Sequence, residues 1–116
     1  MGIPSGPGTE VLKVQYASSI SSAPTVLING VADHIYTILS IIICESGDAA
    51  EVFHLKKTAG GGGTEVNILA HVNLGAYETY VFNDKFVLSG TDEITLSTST
   101  SANLHCVTSY IDQDWT

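Results

Sequence analysis

Four histidines are the residues of this chain best suited to acid–base chemistry or metal binding. They are His34, His54, His71 and His105, and they fall in four separate apolar runs, with no H-x-H pair of the kind found in a cupin-like metal site. A strand histidine between apolar residues is typical of a side chain that is solvated or hydrogen-bonded within a sheet. The spacing therefore predicts no metal site and no cofactor.

Two close pairs of acids are the next candidates for chemistry: Asp92 with Glu93, and Asp112 with Asp114. A glycosidase holds two carboxylates about 5–10 Å apart across a cleft, but adjacent residues of a strand point in opposite directions. We expect Asp92 to begin a strand after a tight bend, and Asp112 and Asp114 to solubilise a polar tail. The chain has no G-x-S-x-G elbow and no arginine to clamp an anionic substrate. We therefore expect no catalytic residues and no enzyme activity.

Two cysteines and a glycine run also deserve chemical scrutiny. Cys44 and Cys106 lie in apolar, strand-like runs and form no CxxC pair, which argues against zinc and redox motifs. Buried free thiols are the expected state, while a disulfide between facing strands stays open, because its geometry is not given by sequence. Gly60 to Gly63 lack the Lys–Ser/Thr pair that follows a phosphate loop, and they predict a hairpin loop instead.

Composition narrows the class of protein. The chain has 116 residues, enough for one ordinary domain, and 44% of them are hydrophobic. Its four lysines oppose twelve acids, giving a net charge of −8. Nucleic-acid binding needs clustered positive charge, and so does attraction to anionic membrane surfaces, so neither partner is expected. The first eight residues do not resemble a secretory signal, and the longest apolar run, Ile38–Cys44, is too short to span a bilayer.

The elements that must position these residues are strands. Runs of alternating or β-branched apolar residues are separated by turn signals about every ten residues, and no segment has a useful helical period. Eight or nine short strands predict an all-β sandwich or barrel. We expect a flexible N-terminal arm over residues 1–8 and a single β-sandwich domain over residues 9–116. The first strand is predicted at Thr9–Ala17 and the last at Asn103–Ile111.

Two stretches resemble small jelly-roll bacteriophage virion proteins. In "YTILSIIICESGDAAEVFHLKK", a strand of the form y-x-v-x-s-i-x-i-x-N meets a short sG-x-a-a turn, with Glu45 where the family commonly has Asn. In the stretch from Val72 to Ile111, Gly90 and Asp92 fall near the family's G-D, with Thr91 between them, while Ile94 fits its following Ile and Ser109 its closing serine. The resemblance covers roughly residues 24 to 112. It implies a jelly-roll-like antiparallel β-sandwich of about eight strands, often a homotrimer.

The same resemblance implies a capsid decoration, or cement, protein on the outer surface of a phage head, in contact with the major capsid protein. Alternatives are a tail-fibre or baseplate module and a carbohydrate-binding jelly-roll adhesin, for which Tyr77, Tyr80 and Tyr110 are the candidate aromatic platform. Residues 1–16 are either an arm that adds a strand to a neighbour or a chain start followed by the sandwich's first strand. The predicted partner-contact residues are Ile3, Val11, Leu12, Val14, Tyr16 and Trp115.

Overall fold

Nine antiparallel β-strands make up the computed structural model, which describes residues 8–60, 62–99 and 103–115. No helix occurs in these ranges, so the all-β prediction is confirmed. The predicted arm, residues 1–8, lies outside the described residues apart from Gly8. The strands are β1 (Thr9–Ile20), β2 (Thr25–Asn29), β3 (His34–Glu45), β4 (Glu51–Thr58), β5 (Glu65–Leu74), β6 (Thr79–Phe82), β7 (Phe86–Ser89), β8 (Glu93–Thr98) and β9 (Leu104–Asp114).

The strands form two sheets in the order of a jelly roll. Sheet A has the order β1-β9-β3, and both β6 and β7 then pair with β3, one after the other along its length. Sheet B has the order β2-β8-β4-β5. When β6 and β7 are counted as one interrupted strand, each sheet has four strands, and every connection except the β4–β5 hairpin crosses from one sheet to the other, as in a double Greek key. The predicted jelly-roll-like antiparallel sandwich is confirmed.

The core lies between the two sheets, and the alternation of residues along β3 shows how one strand contributes to it. Tyr36 and Ile38 face inward at period two, and a register shift between Ile38 and Ser40 then lets Ile41 and Ile43 face inward as well. The opposing layer comes from sheet B. The buried apolar side chains are Ile20, Leu27, Ile28, Tyr36, Ile38, Ile41, Ile43, Phe53, Leu55, Leu74, Phe82, Leu88, Ile94, Leu96, Leu104 and Cys106.

Both terminal strands extend further than the sequence predicts. β1 continues beyond Ala17 to Ile20, through an irregularity in which Ser19 takes a φ of 54°. The two strands are ladder partners along most of their length, and Thr9 lies opposite Asp114. The two ends of the described chain are therefore neighbours in sheet A.

The predicted polar tail after Ile111 is wrong, because β9 includes both acids up to Asp114. Asp112 is 6% exposed and faces the inside of the sandwich. Lys13 and His34 lie on the two strands that flank β9. Both contact the Asp112 carboxylate and compensate its charge. Sequence reasoning treated Asp112 as solvated because its partners are distant in the chain.

Two turns use acidic side chains as backbone acceptors. Before β8, the Asp92 carboxylate accepts the N–H groups of Ser89 (3.3 Å) and Gly60 (3.0 Å), as expected for an acid that begins a strand after a bend. After β3, Glu45 Oε1 accepts the N–H of Gly47 at 2.7 Å and so holds the turn where the resembling family commonly has Asn. β4 and β5 are antiparallel partners, so Gly60, Gly62 and Gly63 lie in the hairpin loop that the sequence predicts; Gly61 lies outside the described residues.

Candidate interaction surfaces

The outer face of sheet A carries an apolar surface that crosses every strand of the sheet. Ladder pairing gives two rows, because each member of a row is the partner of the next. One row is Tyr16, Val107, Ile42 and Val81; the other is Leu12, Ile111, Thr37 and Val87, with Val14 and Ser109 between them. We name these ten residues outer face A. None of them carries a charge.

Much of outer face A is open to solvent. Leu12 is 71% exposed and Tyr16 is 70% exposed, while Val81 and Val87 are 50% and 48% exposed at the other edge of the sheet. With strands about 4.8 Å apart, the surface extends roughly 14 Å across the sheet. A contiguous exposed apolar surface of this kind is typical of a site that contacts another macromolecule.

The outer face of sheet B has the opposite character. Across its strands, Val26, Thr95, Lys56 and Asn67 form one row. Lys56 lies 3.3 Å from the Glu65 carboxylate and forms an ion pair on this face. The exposed apolar residue of that row, Val26, is therefore isolated among polar neighbours.

A groove of about 500 Å³ opens between the edge strands β1 and β2, which belong to different sheets. Its polar part centres on Asp112, whose two carboxylate oxygens lie 2.8 Å from Lys13 Nζ and 2.8 Å from His34 Nδ1. His34 stacks on Tyr36 with ring centroids 5.8 Å apart. The Tyr36 hydroxyl accepts the N–H of Val31 at 3.0 Å. The cluster thus joins β1, β9 and β3.

The charges in this groove are engaged with one another. Burial acts to raise the pKa of Asp112, but hydrogen bonds from Lys13 and His34 outweigh it and hold that pKa below its usual value. The hydrogen bond to Asp112 raises the pKa of Lys13, whereas a nucleophilic lysine needs a lowered one. The pKa of Tyr36 is raised, chiefly by burial. The arrangement is suited to fastening β1 to β9, and it holds no activated nucleophile among the groups described.

The histidines occupy four strands, as predicted, but two of them meet. His54 and His71 have ring centroids 4.5 Å apart, and the His71 backbone N–H donates to His54 Nδ1 at 3.2 Å. Burial, together with the neighbouring His71 and Lys56, lowers the pKa of His54. Over the ranges that the structure covers, no three histidine, cysteine or acidic side chains are grouped so that they could hold a metal ion.

The two cysteines are free and lie on opposite faces of the β3–β9 ladder. Cys106 faces the core, and burial raises the pKa of its thiol to about 11. Cys44 is half-buried on the outer side. The expectation of a buried free thiol therefore fits Cys106 and fits Cys44 only in part. No helix in the described part of the chain is long and apolar enough to cross a membrane.

The predicted partner-contact residues fall into different environments. Leu12, Val14 and Tyr16 lie together on outer face A, whereas Val11 is on the inner side of β1 and 49% exposed. Ile3 lies outside the described residues.

Trp115 packs on its own chain. A Cβ at Gly8 would lie 2.8 Å from its ring, and its backbone N–H donates to the Asp33 carbonyl at 3.0 Å. Its buried indole N–H finds no acceptor among the described residues.

Val81 and Val87, on the β6 and β7 side of outer face A, are not among the residues predicted from sequence, and neither is the cluster of Lys13, His34 and Asp112 in the groove. The two valines could have been found from the alternation in "TYVF" and "FVLS". In each strand the valine faces away from its aromatic or leucine neighbours, which indicates an outward side chain. The aromatic platform is not assembled: Tyr80 packs edge-on against Phe53 at 5.5 Å and Tyr110 lies 6.0 Å from Tyr36, which leaves Tyr77 exposed by itself.

No protein-family model matches this chain, and no curated protein matches it. Solved structures share its fold. A chain from the T13 particle of infectious bursal disease virus matches 91% of this chain with a TM-score of 0.59 at 10% identity, and a chain from the Gx strain of that virus does so with 0.56 at 14%. This chain spans 31% and 32% of those viral chains, about a third of their length.

A chain from Bacillus endospore appendages, described as a novel family of disulfide-linked pili, matches along its whole length. The match covers 100% of this chain and 97% of the other, with a TM-score of 0.58 at 12% identity. At these identities the likeness shows a common two-sheet β-sandwich, which is used in a viral particle and in pili.

Proposed function

We propose that this chain is a structural virion protein: a capsid decoration, or cement, protein that binds the outer surface of a phage head and stabilises it. The observation that carries the proposal is outer face A. An apolar, uncharged sheet face can bury itself against the major capsid protein or against other copies of the chain. The proposed location is therefore the outer capsid surface.

The distribution of charge supports an exterior position. The net charge is −8, yet outer face A has no charged member. Glu45, Glu51 and Asp112 are buried, and Glu10 lies on the same side of β1 as Leu12, at the end of that strand. The remaining acids lie on other parts of the surface, where like charge keeps particles dispersed. A lumen filled with nucleic acid would repel such a chain.

The sources of the similar folds support a structural role and not an enzymatic one. They are a viral particle and pili, both built from many protein copies. Among the described residues, Asp112 forms an ion pair with Lys13 and a hydrogen bond with His34, so these groups are engaged within the chain. We accordingly propose a non-catalytic protein without a cofactor.

The test uses two matched substitutions, Val81→Glu on outer face A and Val26→Glu on sheet B, which start from 50% and 43% exposure. Purified chains are added to heads of the encoding phage prepared without this protein, and bound protein is measured by co-sedimentation. The wild type and Val26→Glu should bind and raise the temperature at which heads open, and Val81→Glu should do neither. Failure of the wild type to bind heads would overturn the proposal.

We further propose that the decorating unit is a homotrimer, because closed symmetry covers apolar faces and sheet edges that would otherwise associate without limit. Light scattering after size-exclusion chromatography should give three times the chain mass of 12.2 kDa. A particle of one chain mass at high concentration would contradict the trimer but not head binding.

A tail-fibre or baseplate module is the second candidate, and the end-to-end match with a pilus-forming chain favours it. Immunogold labelling of intact virions separates the two, since label on the tail alone would select this candidate. The adhesin alternative has weaker support, because two of its three tyrosines pack inward. A glycan array should give no binding.

A further inference from the structure

β1 is attached to the domain in an unusual way. Every side chain from Thr9 to Tyr16 is exposed, and the first fully buried one is Ile20. Yet each residue from Thr9 to Ala17 has a ladder partner on β9. The strand is therefore held by its backbone hydrogen bonds, with little apolar burial of its own.

Two side-chain contacts add to this ladder. Lys13 Nζ lies 2.8 Å from the Asp112 carboxylate, and Gln113 Nε2 donates to Glu10 Oε1 at 2.8 Å. Both contacts join β1 to β9 and neither involves sheet B. These two side-chain contacts, like the ladder, are thus made to one strand, and any copy of that strand offers the same set.

The chain between β1 and the core has the features of a hinge. Ser18 and Ser19 are exposed, and Ser19 has a φ of 54°, a conformation that non-glycine residues adopt at a cost. Beyond the hinge, Ile20 is buried and the Ser21 carbonyl accepts the N–H of Thr98 at 2.9 Å. The anchored and unanchored parts of the chain therefore meet at the two serines.

We propose that β1 is exchanged between copies of this chain, so that residues 9–17 of one copy pair with β9 of the next in the register seen within one chain. Lys13 then contacts the partner's Asp112, and Tyr16 lies beside the partner's Val107. Each contact between residues 9–17 and β9 is reproduced in the exchange, because the donor and acceptor strands are identical in every copy. Extension at Ser19 relieves its unfavourable φ, and protein concentration drives the linkage.

Exchange of this kind does not need the capsid, so the proposals of strand exchange and of head binding can be tested independently. The exchange leaves Leu12 and Tyr16 on the outer side of the sheet, where each lies beside residues of the partner copy instead of its own chain. Closure after three copies would produce the proposed trimer, with each copy giving one strand and receiving one.

The test mixes two chains that each carry a single new cysteine, in a Cys44→Ser background. Ile111 has Leu12 on one side in the ladder and Thr37 on the other. Chains with Ile111→Cys are mixed in denaturant with chains carrying Leu12→Cys, refolded together in a glutathione redox buffer, and examined by intact mass. The matched control replaces Leu12→Cys with Thr37→Cys, whose strand β3 forms part of the core and stays in its own chain.

Exchange predicts a disulfide-linked species of twice the chain mass in the Leu12→Cys mixture, at least tenfold above that in the control. No linked species, or equal amounts in both mixtures, would overturn the proposal, because contact between two outer faces would bring either cysteine near the partner. Val14→Cys with Ser109→Cys repeats the test at a second ladder position, and Ser40→Cys with Ser109→Cys is its control. Circular dichroism checks that each refolded mixture keeps its β-sheet.

Discussion

The two outer faces of this sandwich are built from the same strand chemistry but meet solvent differently. On outer face A, the row from Tyr16 to Val81 is apolar across four strands. On sheet B, the corresponding row places Lys56 and Asn67 beside Val26. A sheet that faces water on one side usually alternates apolar inward and polar outward residues. Sheet B follows that pattern and sheet A departs from it.

The departure is a feature of sheet A that folding of the sandwich does not by itself explain. Folding alone requires one apolar face per sheet, and the inner faces supply both. The additional apolar face of sheet A contributes cross-strand contacts but leaves Leu12, Tyr16, Val81 and Val87 about half exposed or more, as expected if the proposed contact surface lies there. The same face includes β1, the strand with the least attachment to the core.

The largest expected effect compares neighbours on one strand. Ile41 is fully buried and Ile42 is 39% exposed on outer face A. Ile41→Ala should lower the free energy of unfolding by about 2–5 kcal/mol, and Ile42→Ala by less than about 1 kcal/mol. Urea denaturation at low protein concentration measures both. Equal losses would mean that outer face A already belongs to the core of the single chain.

A smaller effect concerns the cluster of Lys13, His34 and Asp112, which we call the clasp because it fastens β1 to β9. Asp112→Asn should cost about 1–3 kcal/mol at neutral pH, because it weakens hydrogen bonds to two charged or polar partners inside the sandwich. The folded pKa of Asp112 is lowered. Its contribution is therefore complete above the unfolded pKa of about 3.9 and is lost as the pH falls through the lower folded pKa.

Denaturation curves from pH 7 down to pH 2 should show the wild type and Asp112→Asn converging below about pH 4. The matched control is Asp84→Asn, an exposed acid in the β6–β7 connection. It should follow the wild type at every pH. A difference between wild type and Asp112→Asn that persisted at the acid end would show that the charge of Asp112 is not what stabilises the clasp.

The smallest expected effect is on self-association, which should depend on outer face A and not on the outer face of sheet B. Val87→Thr and Val26→Thr change residues of 48% and 43% exposure. Loss of one apolar group from a buried contact is worth about 0.8 kcal/mol, so Val87→Thr should weaken self-association about fourfold. Val26→Thr should leave it unchanged in sedimentation equilibrium. An equal change in both variants would remove the distinction between the faces.

Much of the fold followed from local pattern. The β-branched density of β3, the turn signals and the alternation in β4 and β8 predicted strands that the structure contains. The ends of the strands were harder to predict from sequence, because β1 reaches Ile20 through a conformation of Ser19 that no local propensity favours. Alternation also defines two faces without saying which is inward, and the shift between Ile38 and Ser40 reverses the assignment midway along β3.

The groove could not be predicted for a different reason. Asp112 contacts Lys13 and His34, which are 99 and 78 residues away in the chain. Without knowledge that β9 lies between β1 and β3, an acid near the end of an apolar run indicates solvation. The position of Leu12, Val14 and Tyr16 as one surface was accessible, because they alternate within a single strand.

The pairing of Thr9 with Asp114 has a topological consequence. Because both ends of the described chain leave from the same corner, a short glycine linker could join them and new ends could be opened in the β4–β5 loop. The permuted polypeptide would keep every ladder of the sandwich. For the same reason, the sandwich could be inserted into a loop of another protein, because the two ends of that loop would stay close together where they join β1 and β9.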